Sequence, residues 1–387
     1  MSGAGTAEVV GGGIAGLSAA IALAQRGWRV TLHERQDRIR AVGAGIYLWD
    51  NGLAALESLG AFDDATRGAR IAPAVEARSR LGRTLYRIPI NAAGRTRCFT
   101  VLRETLIDAL RSAAEASAVD LRTTSTCLDV DPAGTLTLAD EERRADLIVC
   151  ADGVGSRLRD RLGLLRERVQ MRQGAARMMI RTTPGDDLDV HAEYFGPRRR
   201  VLVTPCTPEL TYVALVSEAG DDAGAASSPA RGWERDFPAL DSLLRAEPVA
   251  VVPWSRFELV RLTAWSRGRV AVLGDAAHAQ PPYLGQGGGT AMMNALSLAH
   301  AVTGAPDMPN ALQVWERRQR PAVERTQLTS FRMRGLDRLP NAPRSALLRA
   351  AGVLPGVQRS ALAATRERPA IRARSTPTLR ETTGDTP

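Results

Sequence analysis

Gly11, Gly13 and Gly16 stand in the order G-x-G-x-x-G, where an apolar run from Ala7 gives way to Ile14, Ala15 and a stretch of Ala and Leu at helical spacing. A strand, a glycine turn and a helix start at that spacing suit one kind of chemistry, the holding of a pyrophosphate. The first glycine permits the tight turn, the second lets backbone approach the phosphates, and the third lets the helix pack close to the strand. The helix N-terminus adds free N–H groups and a positive partial charge. Trp28 to Glu34 reads as the next strand, and Glu34, followed by Arg35, ends it where an acid accepts from ribose hydroxyls. Glycine clusters also make ordinary turns. The strand before, the helix after and the acid beyond are what distinguish this one.

Two further blocks repeat the theme of a carboxylate at the end of an apolar strand. Ala145 to Ala151 delivers Asp152-Gly153, which taken alone is an ordinary turn. Arg269 to Leu273 enters Gly274-Asp275, followed by Pro281, Pro282, Tyr283 and then Gly285, Gln286, Gly287, Gly288 and Gly289 at the start of a predicted helix from about Gly288 to Thr303. A carboxylate so placed can hold a ribityl hydroxyl, and the glycine run can turn N–H donors toward a pyrophosphate or a flavin carbonyl. The three blocks in this order imply non-covalently bound FAD. The predicted cofactor-binding residues are Gly11, Gly13, Ile14, Ala15, Gly16, Glu34, Arg35, Arg40, Asp152, Gly153, Gly274, Asp275 and the run Gly285 to Gly289. Arg40 is a candidate for moving with the flavin or meeting nicotinamide phosphates.

The elements that must position these residues are an α/β fold. A doubly wound G-x-G-x-x-G domain is expected from residues 1–75, 98–168 and 265–330, interleaved with a mostly antiparallel substrate-domain sheet from 76–97 and 169–264. A C-terminal helical segment, 331–368, and a disordered tail, 369–387, follow. Helices are expected over Asn51 to Ser58, Leu106 to Ser117 and Ala311 to Thr329. Leu121 to Asp129 and Thr135 to Leu138 read as strands of a hairpin region, Pro184-Gly185 and Gly196-Pro197 as turns, and Ala219 to Pro229 as an exposed loop.

Composition narrows the classes. All 51 basic residues are arginine, so no Schiff-base lysine exists and pyridoxal-phosphate catalysis is excluded. Four cysteines without CxxC spacing and four histidines without ligand spacing predict no metal site and fit a reducing cytoplasm. No secretory signal is read at the N-terminus and no membrane span is expected. The formal charge of +9 comes from the segment beyond Arg317, where arginines far outnumber acids. Phe331 is the one aromatic residue there, too few to interleave with the arginines, so no nucleic-acid partner is expected.

Together the blocks resemble the single-component FAD-dependent aromatic hydroxylases of the para-hydroxybenzoate hydroxylase type, from Ala7 to Arg320. The likeness includes Val101 to Leu106, with Arg103 at a helix start near the FAD, and Trp315-Glu316 with Arg320-Pro321 in a closing helix. Arg40 to Trp49, Asn51-Gly52-Leu53, Arg200 to Tyr212 and Gly289 to Ala295 are similar to the 2-methyl-3-hydroxypyridine-5-carboxylate oxygenase branch. Ala72 to Ala77 departs from it, lacking a tyrosine on the substrate side, and Tyr283 is larger than the branch leads one to expect.

The resemblance implies that NADH or NADPH reduces the flavin and O₂ adds to form a C4a-hydroperoxide. The distal oxygen then passes to a small aromatic or N-heteroaromatic ring, acidic or phenolic. The resemblance adds Gly45 and Arg103 to the cofactor-binding residues. Arg200, Tyr212 and Tyr283 would face the substrate, and Pro282, Gly287 and Gly288 would shape the oxygen side. A monomer or homodimer is expected. An epoxidase or reductase of the same superfamily, or a non-catalytic FAD-binding protein, remains open. A tryptophan-type halogenase does not, since it needs a lysine and a Trp-x-Trp pair.

Overall fold

The computed structural model describes residues 5–40, 44–182, 189–221, 230–354 and 362–366. Its first sheet joins β1 (Thr6–Val10), β2 (Arg29–His33), β7 (Asp120–Arg122), β11 (Leu147–Cys150), β17 (Ser266–Arg267) and β18 (Val270–Val272), in the order β17-β18-β11-β1-β2-β7. Every neighbouring pair is parallel except β17–β18. Helices on the faces of a parallel sheet bury both sides, so β11 reads Leu-Ile-Val-Cys and β18 Val-Ala-Val, while β1 and β2 bury Glu8 and His33 against each other at 2.7 Å. Helix α1 (Ile14–Ala24) is sealed all round, with Leu17, Ile21 and Leu23 inaccessible. Five other helices reach ten residues among the described ones: α2 (Asp50–Leu59), α3 (Arg103–Ala116), α4 (Gly287–Val302), α5 (Met308–Met333) and α6 (Asn341–Val353).

Two expectations need correction. The strand read over Leu121 to Asp129 is two elements in different sheets. Asp120–Arg122 is the edge of the parallel sheet, paired with β2. β8 (Cys127–Asp131) joins β9 (Thr135–Leu138) and β10 (Glu142–Arg144) in a separate antiparallel sheet. Thr124, at φ 53°, breaks the run, and the N–H groups of Thr124 and Ser125 donate to Gln36 and Glu34. The apolar pattern is the same on both sides of that break, so periodicity alone gave no sign of it. The second correction is that the helix expected from Leu106 starts at Arg103, and the one expected from Ala311 to Thr329 runs from Met308 to Met333. Asp307 caps the latter by accepting from the Asn310 N–H, and Pro321 is accommodated inside it.

The large sheet contains β4 (Ala74–Ser79), β5 (Thr84–Pro89), β12 (Leu165–Arg181), β13 (His191–Phe195), β14 (Arg200–Pro205), β15 (Leu210–Glu218) and β16 (Pro248–Leu262), in the order β16-β12-β15-β14-β13-β4-β5. Only β13–β4 is parallel. One face packs on Trp233, Phe237, Leu240 and Leu244. The other meets a two-stranded ribbon of β3 (Gly45–Trp49) and β6 (Cys98–Leu102). The expected turn at Gly196-Pro197 joins β13 to β14. The expected turn at Pro184-Gly185, residues 222–229 of the expected loop and the expected tail all lie outside the described residues.

Candidate active site

β18, β11 and β1 are neighbours, with Val10 opposite Cys150 and Cys150 opposite Val272. Their C-terminal ends therefore set Asp275, Asp152 and Gly11 side by side, although the chain separates them by more than a hundred residues. This is where open α/β sheets bind ligands. The protein itself demands most of the glycines. A Cβ on Gly11, at φ 105°, would overlap the Ala151 carbonyl, and one on Gly16 would overlap the Gly11 carbonyl. Gly13 differs: a Cβ there meets nothing within 4 Å. The protein leaves that space open, at the start of α1, where a phosphate would sit. Gly287, at the start of α4, is open in the same way. A Cβ on Gly288 would lie 3.2 Å from Ile46 and 3.6 Å from Ile14, so the two helix N-termini converge on one cleft.

The carboxylates around this cleft are held in distinct ways. Glu34 accepts from the Gly12 N–H at 2.8 Å and the Gln36 N–H at 2.9 Å, which fixes it beside the first glycine turn. Asp275 is open to solvent yet walled by protein. Desolvation by the surrounding protein walls raises its pKa, and the Arg103 guanidinium opposes the rise. Asp152 is likewise raised by burial, with Ser156 opposing, and its Oδ1 lacks a partner. Gly153 takes φ 87° just beyond it. Gln286 accepts from Asn51 at 2.7 Å, leaving its own Nε2 unpartnered, and the Trp49 indole N–H beside Gly285 is unpartnered too. Buried polar atoms without partners are uncommon in native proteins. Three of them around a cleft with open glycines and two helix N-termini fit an extended ligand carrying phosphates at one end and a polar ring at the other.

Sequence reasoning gave Arg159 no role. It is fully buried, and its Nη1 donates to the carbonyls of Val154 at 3.0 Å and Ala276 at 3.1 Å, pinning the loops after β11 and β18 together. A single sequence carries no signal for a buried arginine. Arg35 and Arg40 stand exposed on the segment after β2. His278 lies buried against Trp265, 3.0 Å from the Asn294 amide, and burial pushes its pKa down to about 4.

On the large sheet, Arg200 pairs with Val216 and Thr204 with Tyr212. Arg200 and Tyr212 therefore share a face, as the sequence predicts. They lie four residues apart along the strands, roughly 13 Å, so they do not grip one small group together. Tyr212 is buried under Gly45, where a Cβ would strike its ring. Next to it, the Tyr47 hydroxyl hydrogen-bonds Thr204 at 2.6 Å. Arg200 is 5% exposed, unlike its exposed neighbour Arg198. Its Nη1 lies 3.7 Å from both Glu193 and Asp337, and its guanidinium sits 4.5 Å over the Tyr283 ring. Tyr283 donates to Asp337 at 2.7 Å and packs edge-on against Phe257. Sequence reasoning missed Asp337, Glu193 and Phe257, which come from three distant segments.

Parallel strand ends carrying a glycine turn and two carboxylates, beneath an antiparallel sheet, define a dinucleotide-binding flavoprotein. The FAD binding domain family matches residues 5–313, and the chain belongs to that family. It is 50% identical over 372 residues to a probable 2-heptyl-3-hydroxy-4(1H)-quinolone synthase of Rhodococcus erythropolis, covering 94% of this chain and 97% of that one. It is 51% identical over 355 residues to the 2-heptyl-3-hydroxy-4(1H)-quinolone synthase of Mycobacteroides abscessus, covering 90% and 95%. Among solved structures it superposes on a tetrameric form of 2-methyl-3-hydroxypyridine-5-carboxylic acid oxygenase with a TM-score of 0.83, at 37% identity and covering 94% and 96%. The chain is a FAD-dependent monooxygenase of the aromatic hydroxylase superfamily. The doubly wound fold with its interleaved sheet is the one the motifs predict. Among the described residues, no helix is long and apolar enough to cross a membrane, and no cluster of His, Cys, Asp and Glu could hold a metal ion.

Proposed function

We propose that this enzyme uses NADH or NADPH and O₂ to hydroxylate carbon 3 of a 2-alkyl-4(1H)-quinolone. The observation that carries this reading is the identity of about one half, over nine-tenths of both chains, to relatives named as 2-heptyl-3-hydroxy-4(1H)-quinolone synthases. One oxygen atom of O₂ enters the ring C–H bond. The other leaves as water with the two electrons of the nicotinamide. In a 4-quinolone the ring nitrogen feeds electron density through the double bond to carbon 3, so the attacked carbon is nucleophilic without full deprotonation.

FAD, when bound, supplies the redox chemistry and the activation of O₂. The chain's own residues bind, orient and keep dry. Gly13 and the α1 N-terminus would take the phosphates, Asp275 with Arg103 nearby the ribityl chain, and the backbone of Gly285 to Gly289 the ring. Pro282, Gly287 and Gly288 border the oxygen side. Tyr283, wedged against Phe257 and held by Asp337, walls that side from water. The sheet face beyond offers Leu202, Ala214, Met179 and Tyr212, an apolar floor suited to a neutral ring. Arg200 already has two carboxylates and an aromatic ring as partners, which favours a neutral substrate over an aromatic acid.

The test is turnover by the FAD-loaded enzyme with 2-heptyl-4(1H)-quinolone, NADH and NADPH in separate assays. Stoichiometric nicotinamide oxidation and a product heavier by one oxygen atom, hydroxylated at carbon 3, are expected. Quinolone left unchanged while 2-methyl-3-hydroxypyridine-5-carboxylate is oxidised would overturn the reading.

A further inference from the structure

A cavity of about 490 Å³ lies away from the strand-end cleft, at the Arg200–Val216 end of the large sheet. The Thr204–Tyr212 end of the same strands is the one that meets β3. Arginine dominates its wall: Arg172, Arg198, Arg199, Arg200, Arg338 and Arg344 all line it, with Glu218 and Asp337 the lining carboxylates. Part of that charge is compensated. Arg172 pairs with Glu218, Arg199 with Asp221 and Asp236, and Arg200 with Glu193 and Asp337. Arg198, Arg338 and Arg344 have no carboxylate partner within ion-pair distance among the described residues. Arg344 is 2% exposed and, among the described residues, donates to the Gly196 carbonyl and Asn341, and burial pushes its pKa down.

A second observation points to the same place. Two buried donors on this wall lack partners among the described residues: Nε of Arg200 and Nε of Arg344. Packing the Arg344 guanidinium out of water with no carboxylate partner is costly unless an anion offsets it. The planar fork of an arginine matches the oxygens of phosphate and donates to two of them at once. The volume exceeds a bare phosphate and is in the range that holds a small organic molecule.

We propose that this cavity is a binding site for a phosphate-bearing small molecule, separate from the flavin and from the aromatic substrate. Its walls reach the active site through two residues. Arg200 and Asp337 border the cavity and also touch Tyr283, in the loop that leads to the glycine run. An occupant there bears on the position of Tyr283.

The experiment uses FAD-saturated enzyme, so that the phosphate position at Gly13 is already filled. Pyrophosphate, adenosine 5′-monophosphate and citrate are titrated calorimetrically at fixed ionic strength set with sodium chloride. Submillimolar binding of pyrophosphate or the nucleotide, tighter than citrate, is expected. The double variant Arg198→Gln, Arg338→Gln changes two exposed side chains. It should weaken that binding about tenfold or more, the loss of charge-assisted hydrogen bonds, with flavin content and turnover without added phosphate as in the parent. The idea fails if no phosphate binds in that range, if citrate binds and the phosphates do not, or if the double variant binds as the parent does.

Discussion

The two sheets carry their chemistry in different ways. In the parallel sheet the site is made where strands end, with Gly11, Asp152 and Asp275 all within three residues of the last strand residue. In the large sheet it is made of side chains on one face, whose partners arrive from elsewhere in the chain. Gly11, Asp152 and Asp275 need only their own strand ends to be in place. Arg200 needs Glu193 on the next strand, Tyr283 on the loop before α4 and Asp337 beyond α5. A site written into turns is local and survives in the sequence as a motif. A site written across a face is a matter of packing.

The contrast is sharpest between two glycines three residues apart. Gly16→Val forces a side chain into the Gly11 carbonyl, and we expect no soluble folded protein, judged by expression and circular dichroism. Gly13→Val meets no protein atom within 4 Å. Its apoprotein should fold and melt within a few degrees of the parent while retaining no flavin. A folded Gly16→Val, or a Gly13→Val of normal yellow colour, breaks the distinction.

Arg200→Met tests the other region. It leaves Asp337 and Glu193 facing each other in a buried site. The ion-pair distances of 3.7 Å place the cost at the lower end of the range for broken buried pairs, about 3 kcal/mol. A lowered urea midpoint with flavin content unchanged and substrate KM altered by less than about threefold is expected. Unchanged stability with a tenfold rise in KM would instead return Arg200 to direct contact with an anionic substrate.

Acid sensitivity is expected to arise in both domains, at one buried histidine in each. The pKa of His278 is held at about 4, below its ordinary 6.5. As pH falls below 6.5 the unfolded chain takes up this proton and the folded one does not, so stability declines from pH 6.5 toward 4, by roughly 3 kcal/mol. His191, pushed down to about 3 on the large sheet, adds in the same direction and extends the window downward. Denaturant midpoints across that range should fall steadily in the parent and less steeply in His278→Gln. A parent curve flat between pH 6.5 and 4 would show that neither histidine stays neutral.

The smallest effect is expected at Asp275. Asp275 is exposed, so Asp275→Ala should leave the apoprotein about as stable as the parent. FAD affinity should drop ten- to a hundredfold, the worth of a charged hydrogen bond at about 1.5–3 kcal/mol. Titration of apoprotein with FAD measures it, and an unchanged affinity removes Asp275 from the cofactor's contacts.

The sequence alone was enough for the doubly wound domain, for three blocks that each end a strand in Gly11, Asp152 or Asp275, and for the need for glycine at positions 11 and 16. Backbone geometry leaves no other residue there, and the strand–turn–helix pattern is complete within each block. It also showed that Arg200 and Tyr212 share a sheet face, because side chains alternate along paired strands. Tertiary structure alone decided what Arg200 does on that face. Its burial, the carboxylates on either side and the Tyr283 ring come from segments up to 137 residues away, and nothing in local composition separates it from Arg198 and Arg199. The same reason hid Arg159 and the break at Thr124: burial and register are set by which elements meet, and a chain read residue by residue does not contain that choice.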